Sequence, residues 1–335
     1  MKLQARFIQL PVRFDADVLA REIATIREED WMPHPAGYAG NDFLPLISVD
    51  GDPLHEGIQG AMRPTPFLDA SRPYLTQVLS AVGAVLGRTR LMRLSGQAEV
   101  SPHVDINYYW RDRMRVHVPI VTQPTVRFDC GDEHVHMAAG ECWVFDTWTM
   151  HRVLNDAERS RVHLVIDTVG GDGLLRLLSA GRVASQPTPP NWAAQLVPPG
   201  ASKAALEFET LNVPMVMSPW ELKEHINFLL SEAAPNQPQV ADIARASGPF
   251  MHQWRALWAA HGEDKAAWPR YRALLDGFAQ EVARLNAAGV RLRNSQDLMS
   301  TLNMMVFIAA ISDRPRFSGA AANRSTMRPA TASAS

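Results

Sequence analysis

The chain has few cysteines, little excess charge of either sign and no long apolar run. Its 335 residues include two cysteines, and the formal net charge is −2. Two cysteines fit a reduced, cytoplasmic compartment better than a disulfide scaffold. The small net charge gives no electrostatic reason to expect nucleic acid or an anionic membrane as a partner. No apolar run has the length of a transmembrane helix, and the N-terminus, with its charges and a proline, is not expected to be a secretory signal.

The first half of the chain indicates a mainly β domain with flanking helices. Residues 14–31 and 73–89 are predicted to be helices, and the second begins with a proline and has apolar residues at helical spacing. From about residue 91 the pattern changes to short segments with β-type alternation. These segments are LMRL, EVSPHVDI, RVHVPIV, TVRFDC, HVHMA, CWVFD, HRVLN and RVHLVID. Many short strands at nearly regular spacing are typical of a sandwich, a jelly roll or a barrel.

The second half is predicted to be helical. Ser218-Pro219-Trp220-Glu221 has the pattern of a capping box and opens a helix. Further helices are expected near residues 239–261, 264–286 and 296–311, and the proline-rich segment 182–201 has the composition of a linker. The sequence therefore predicts a β domain with N-terminal helices over residues 1–172, a helical C-terminal region over 173–313 and a disordered tail over 314–335.

One group of residues in the β region has the composition of a metal site. His103 and Asp105 lie two residues apart in a strand-like segment, so their side chains point to the same face. One His-x-Asp is expected by chance in a chain of this composition, and the motif alone decides nothing. His151 follows a later strand and a short turn. Two imidazoles and one carboxylate on one face are typical of non-heme Fe(II) oxygenases, whereas each histidine taken singly is more often structural.

Two strands carry basic side chains opposite their aliphatic residues. In RVHLVID, Arg161 and His163 share one face, and in RVHVPIV, Arg115 and His117 do the same. An arginine on the inward face of a core strand is costly to bury without an anionic partner, and its guanidinium matches a carboxylate in two-point fashion. The alternative is that this face is exposed to solvent, as in many antiparallel sheets.

These linked segments resemble a known family. HVDINYYWRDRMRVHVPIVT, GECWVFDTWTMHRVLN and RSRVHLVID look like the aspartyl/asparaginyl β-hydroxylase family, including its bacterial members that hydroxylate free proline. The resemblance covers about residues 40–170. It implies a double-stranded β-helix, which is a jelly roll of the cupin-like type, together with Fe(II), 2-oxoglutarate and O2.

The resemblance also implies roles for particular residues. His103 and His151 match the iron ligands of the family, and Arg161 matches the arginine that holds the distal carboxylate of 2-oxoglutarate. Arg115 and His117 match its Arg-x-His element, which helps to hold the cosubstrate. With Asp105, the predicted metal ligands are thus His103, Asp105 and His151.

The iron motif and the segment after it differ from the vertebrate members. Those lack an acidic residue where this chain has Asp105, which weakens any transfer of a protein Asp or Asn substrate and argues against halogenation. The segment INYYWRDRM is also longer here. Tyr108 and Trp110 are predicted at the mouth of the substrate site, although packing is an equal alternative for these aromatic residues.

Three residues around His151 complete the set of candidates. Trp148 flanks the turn into His151 and is predicted to touch substrate. Asn155 lies where related sequences often carry an asparagine after the distal histidine, as a substrate residue or a structural one. Asp146 is a candidate for orienting the metal ligands from behind.

The function expected from these features is hydroxylation of an unactivated carbon in a free amino acid or a small derivative, with release of succinate and CO2. One alternative is hydroxylation of an Asp, Asn or other residue within a peptide or protein. An alternative of another class is a cupin-like sensor that binds metal or 2-oxoglutarate without turnover. The helical C-terminal region has no motif for chemistry, and capping of the site and homo-oligomerisation both stay open for it.

Overall fold

The computed structural model describes residues 1–35, 37–200 and 205–312, and the chain divides into two compact units. The first unit comprises Met1–His103 and Arg113–Thr210. The second comprises Val104–Asp112 and the residues from Leu211 on. The predicted division at residue 172 remains a prediction, and the predicted tail over residues 314–335 lies outside the described residues.

The first unit is built mainly from strands. They are β1 Phe7–Phe14, β2 Met32–Pro33, β3 Asn41–Val49, β4 Met62–Pro64, β5 Val85–Leu94, β6 Glu99–His103, β7 Met114–Val121, β8 Val126–Cys130, β9 Glu133–Val135, β10 Glu141–Phe145, β11 His151–Asn155, β12 Arg161–Thr168, β13 Arg182–Val183, β14 Gln195–Val197 and β15 Glu207–Phe208. Its helices are α1 Ala16–Ile23, α2 Pro73–Val82 and α4 Asp172–Ser179, with a short 3-10 turn at Glu28–Asp30.

The strands form two sheets whose order is that of a double-stranded β-helix. The large sheet has the order β13-β1-β10-β7-β12-β5-β3-β2, and the small sheet has the order β6-β11-β8-β9. From β5 to β12 the chain passes back and forth between the two sheets, and the pairs among these strands are antiparallel. This is the jelly-roll arrangement, so the predicted fold class is confirmed.

Each face of the large sheet buries a different set of side chains. On one face Val116, Val118, Val162 and Leu164 join the aliphatic core that also contains residues of α1, α2 and α4. On the other face, which looks toward the small sheet, a smaller aromatic cluster includes Phe128. The basic residues of β7 and β12 alternate with the aliphatic ones, so they point into the barrel. The alternative of a solvent-exposed face is wrong, because Arg161 and His163 are buried.

The N-terminal elements are shorter than the sequence patterns suggest. The helix predicted over residues 73–89 ends at Gly83, whose φ of 62° is left-handed, and the chain then continues as β5. A Cβ on Gly83 would lie 2.7 Å from the Cα of Gly173, so this close approach requires glycine. The segment Phe7–Phe14, not predicted as a strand, alternates buried and less buried residues and pairs with β10. The predicted linker 182–201 contains β13 and β14.

The second unit is helical. Its helices are α3 Tyr108–Arg111, α5 Pro219–Ser231, α6 Gln239–His261, α7 Trp268–Arg284 and α8 Leu298–Leu302, with 3-10 turns at Lys265–Ala267 and Ala287–Gly289 and a π-helical turn at Asn303–Phe307. α5 begins as predicted, because the Ser218 side chain accepts a hydrogen bond from the backbone N–H of Glu221. In the described ranges, no helix combines the length and apolar character that crossing a bilayer requires.

Candidate metal centre

The three predicted metal ligands lie together. His103 ends β6 and His151 begins β11, and the two residues are directly opposite each other in the antiparallel pair. The ligand atoms of His103, Asp105 and His151 all lie within 4.8 Å of one another. The three side chains are therefore close enough for one ion to be shared among them.

Both imidazoles are held by the backbone in the same way. The Nδ1 of His103 lies 2.8 Å from the carbonyl oxygen of Ser101, and the Nδ1 of His151 lies 2.8 Å from the carbonyl oxygen of Thr149. A carbonyl accepts a hydrogen bond, so each Nδ1 must carry the proton. In this tautomer the lone pair is on Nε2, which is the ligand form, and the carbonyl fixes the orientation of the ring.

Asp146 holds the turn that leads to His151. Its carboxylate accepts hydrogen bonds from the backbone N–H of Trp148 and the hydroxyl of Thr149, at 3.1 and 2.7 Å. Arg6 pairs with the same carboxylate at 3.2 Å. Asp146 therefore acts on the metal site through the turn whose Thr149 carbonyl orients His151, which is the kind of role that the sequence suggested for it.

A cysteine lies beside the distal histidine without joining the cluster. Cys130 on β8 is the register partner of His151. Burial raises the pKa of its thiol to about 12, so it stays protonated at neutral pH. Among the described residues, the group of side chains close enough to share an ion is His103, Asp105 and His151, and Cys130 is not part of it. The structure thus groups two imidazoles and one carboxylate, and their role as metal ligands remains a prediction.

Arg161 is buried inside the barrel, and no carboxylate of the described residues pairs with it. Its side chain is 4% exposed, and one Nη donates to the carbonyl oxygen of Met92 at 3.2 Å. Its Nε finds no hydrogen-bond partner among the described residues. Burial lowers the pKa of the guanidinium to about 9, and no described residue supplies a negative charge that raises it. A buried cation of this kind is expected to take an anionic ligand.

Two buried histidines lie in the barrel close enough to Arg161 for its charge to act on both. His117 and His163 have ring centroids 5.8 Å apart, and in the described structure no ring nitrogen of either has a hydrogen-bond partner. Burial lowers the pKa of both well below the ordinary value, so both are neutral at pH 7. The phenyl ring of Phe145 lies 5.3 Å from the His117 ring and 5.1 Å from that of His151.

Arg115 has a carboxylate within the protein. Its Nε lies 3.2 Å from Oδ1 of Asp167, and Arg88 approaches the other oxygen of the same carboxylate at 3.4 Å. Asp167 is buried and is on the same face of β12 as Arg161. The predicted role of Arg115 in holding the cosubstrate remains a prediction, and its ion pair with Asp167 is an additional role.

The predicted substrate residues of the inserted segment are buried in the helical unit. The hydroxyl of Tyr108 donates to Oε1 of Glu221, and its ring packs edge-on against His225 at 5.4 Å. Trp110 is also buried and packs against Tyr109. These contacts are those of packed aromatic residues, and a role in binding substrate remains a prediction.

Trp148 and Asn155 are buried on either side of His151 along the chain. The Nδ2 of Asn155 donates to the carbonyl oxygens of Leu94, Ser95 and Arg159, at 3.1, 2.9 and 2.9 Å. These bonds tie the turn after β11 to the end of β5. Asn155 thus has a structural role, which was the alternative to substrate contact. Contact of Trp148 or Asn155 with substrate remains a prediction.

His163 is a site residue to which the sequence assigned no role. The signal was present, because the alternation of β12 puts His163 on the same face as Arg161. The sequence does not show that this face is buried. Buried polar groups are normally hydrogen-bonded, so a buried imidazole without a partner needs an explanation.

The residues fit iron and a dicarboxylate cosubstrate. Two histidines in the ligand tautomer and a carboxylate leave half of an octahedral metal open. The barrel also contains Arg161, a buried cation whose Nε lacks a partner among the described residues. The donor set and the cation are both needed for 2-oxoglutarate to chelate a metal at one end and pair with an arginine at the other.

Comparisons with known proteins agree with the motifs. Residues 59–170 match the family described as aspartyl/asparaginyl beta-hydroxylase. L-proline cis-3-hydroxylase 1 of a Streptomyces species is 29% identical over 170 residues, which are 47% of this chain and 57% of that protein. The chain therefore matches only a little over half of the length of this relative.

Solved structures resemble about half of the chain. A 2OG-Fe(II) oxygenase family oxidoreductase from Burkholderia pseudomallei has a TM-score of 0.33 and 12% identity, over 47% of this chain and 80% of that one. A prolyl-4-hydroxylase from Pseudomonas putida has a TM-score of 0.31 and 19% identity, over 49% and 92%. These TM-scores are low, so the fold is assigned from the strand order of this chain and not from these structures. Over residues 59–170, this chain is similar to the aspartyl/asparaginyl beta-hydroxylase family, as its motifs predicted.

Proposed function

We propose that the protein is an Fe(II)- and 2-oxoglutarate-dependent dioxygenase that hydroxylates an unactivated carbon of a free amino acid or a small amino-acid derivative. O2 would be consumed, and succinate and CO2 would be released. One observation carries the proposal: the cluster of His103, Asp105 and His151 occurs together with Arg161, which is buried in the barrel with no carboxylate of the described residues beside it.

The metal ligands would hold the iron in this proposal. His103, Asp105 and His151 would hold iron through one face, and the opposite positions would remain for cosubstrate and O2. Bound iron and 2-oxoglutarate together would supply the oxidising power for attack on a C–H bond. The chain supplies the orientation, because Ser101 and Thr149 fix both imidazoles through their carbonyls.

Residues of the barrel interior would hold the cosubstrate. Arg161 would pair with the distal carboxylate of 2-oxoglutarate, and His117 and Arg115 would help to hold the cosubstrate. The walls around these groups are apolar, since Phe128 and Phe145 are buried among them. Exclusion of water from this space strengthens the pairing of a carboxylate with Arg161.

The choice of an amino-acid substrate is supported by the presence of Asp105 and by the relative. Asp105 is the acidic residue that the bacterial amino-acid hydroxylases share and the vertebrate protein hydroxylases lack. The Streptomyces relative is named as a hydroxylase of L-proline. Because this chain covers 57% of that protein, the proposal for this chain names only the class of substrate, an amino acid or a small derivative, and not proline itself.

The test is a screen for succinate release with the standard amino acids and a set of short peptides, run with Fe(II), 2-oxoglutarate and O2. We expect succinate formation and oxygen consumption to rise with at least one free amino acid. Asp105→Ala should lower substrate-dependent turnover by about 100-fold or more, because it removes a metal ligand. Asp132→Ala is the matched control, since that carboxylate is 89% exposed, and it should leave turnover unchanged.

Binding measurements separate an enzyme from a sensor. Anaerobic titration of the wild-type protein with Fe(II) and then 2-oxoglutarate is expected to show binding of both. If both bind but no substrate raises oxygen consumption, the protein acts as a sensor and the proposed catalysis is wrong. If only peptides raise it, the substrate class is wrong and the reaction type stands.

A further inference from the structure

One buried histidine of the barrel has no role in the proposal above. His163 lies on β12, two residues after Arg161 and on the same face, and it is fully buried. Its ring stacks on Phe128 at 5.3 Å with an interplanar angle of 22°. The same phenyl ring has the guanidinium of Arg161 over it at 5.3 Å. His163 and Arg161 therefore border the same part of the barrel.

The imidazole of His163 is without a hydrogen bond where it lies. In the described structure, neither ring nitrogen of His163 has a hydrogen-bond partner. A neutral imidazole carries one N–H donor and one acceptor, and both are costly to bury unpaired. A bound molecule with polar atoms in this part of the barrel would remove that cost.

The charge around His163 points to an anion. Arg161 lies close enough to lower the pKa of His163 through its charge, as do His117 and His136. Asp167, the acidic residue on the same face of β12, is paired with Arg88 and Arg115. A carboxylate beside Arg161 would accept hydrogen bonds from the guanidinium and from a nearby imidazole N–H, and it would offset the buried charge.

We propose that His163 is a cosubstrate-binding residue: its N–H donates a hydrogen bond to the distal carboxylate of 2-oxoglutarate beside Arg161, and this bond helps the site to select dicarboxylic over monocarboxylic 2-oxo acids. The inference rests on the proposed function, because it assumes that 2-oxoglutarate binds in this barrel. It adds a second donor to the arginine that the motifs already indicate.

The test compares two probes on the Fe(II)-loaded protein without oxygen. 2-Oxoglutarate carries the distal carboxylate, and 2-oxopentanoate has the same carbon chain with a methyl group in its place. For His163→Phe, which keeps an aromatic ring against Phe128, we expect calorimetry to give a Kd for 2-oxoglutarate about 10- to 100-fold weaker than wild type. The Kd for 2-oxopentanoate should change less than about threefold, because that probe has no acceptor for the lost donor.

The control variant removes a comparable imidazole elsewhere. His225 is also buried with both ring nitrogens without a hydrogen bond in the described structure, but it lies on α5 in the helical unit. His225→Phe is expected to leave both dissociation constants unchanged. His163→Gln and His163→Asn keep an N–H donor near the positions of Nε2 and Nδ1, and one of them should recover part of the preference for 2-oxoglutarate. The two amide variants can also be compared with wild type if His163→Phe does not fold.

The outcomes separate the inference from the proposed function. Failure of the wild-type protein to bind 2-oxoglutarate would overturn the proposed function itself. If wild type binds it and His163→Phe binds it equally well, the assignment of His163 is wrong. Equal weakening of both probes in His163→Phe, or no recovery in either amide variant, would make His163 a packing residue and would also overturn the inference.

Discussion

Replacement of Arg161 by methionine should make the protein without ligand more stable while abolishing its response to 2-oxoglutarate. The guanidinium is buried with no carboxylate of the described residues beside it, and burial lowers its pKa from the ordinary value to about 9. A fall of this size corresponds to about 5 kcal/mol against the charged form. Because the folded pKa lies below the unfolded one, this cost is fully present at pH 7, and its relief begins above about pH 9 and is complete only at the unfolded pKa.

The expected increase in the free energy of unfolding of Arg161→Met is smaller than the cost of burying the guanidinium charge. The variant loses the hydrogen bond from an Nη to the Met92 carbonyl, which contributes about 1 kcal/mol. Replacement of buried ionic groups by apolar ones of similar volume stabilises proteins by about 1–4 kcal/mol. We therefore expect the free energy of unfolding of the variant without ligand to rise by about 1–4 kcal/mol at pH 7.

The measurement is urea denaturation of wild type and variant, each with and without 2-oxoglutarate in the presence of the metal. At a ligand concentration of 100 times its Kd, wild type should gain about 2.7 kcal/mol, and Arg161→Met should gain almost nothing. Arg176→Met is the matched control, since Arg176 is exposed on α4, and it should change neither quantity. A variant that is destabilised by several kcal/mol, or that still gains stability from 2-oxoglutarate as wild type does, would refute the reasoning about Arg161.

Three further predictions concern buried polar groups, each measured by chemical denaturation. Asn155→Ala should lower the free energy of unfolding by about 2–3 kcal/mol, because three backbone carbonyls lose their donor. Asp167→Leu should cost about 3–5 kcal/mol, since Arg88 and Arg115 lose a buried carboxylate. Burial lowers the pKa of His225 to about 4, so the unfolded state takes up a proton first, below about pH 6.5. Stability should therefore fall by roughly 3 kcal/mol from this group between pH 6.5 and 4, and His225→Phe should remove that part of the pH dependence.

Each of these has an outcome that contradicts it. Asn155→Ala as stable as wild type would mean that its carbonyl partners find other donors. An Asp167→Leu variant of unchanged stability would show that the two arginines reach solvent or other anions. A His225→Phe variant with the same pH dependence as wild type would assign that dependence to other groups.

Local pattern was enough for most of the fold. Period-two alternation predicted the strands around His103, His117 and Arg161, and the helix predicted over residues 239–261 is α6 with the same bounds. The helix predicted over residues 73–89 is the main exception. Its sequence continues in a helical pattern beyond Gly83, but the close approach of Gly173 and the pairing of β5 in the large sheet end it there.

The sequence alone determined which residue types are available to the site and on which face of each strand they lie, because alternation is a local property of the backbone. Three facts depended on the tertiary structure: His103 and His151 are opposite each other, Arg161 is buried without a carboxylate, and His163 has no hydrogen-bond partner in the described structure. Register and burial depend on how strands distant in sequence pair and on which face the second sheet covers. No spacing within one strand encodes either of them.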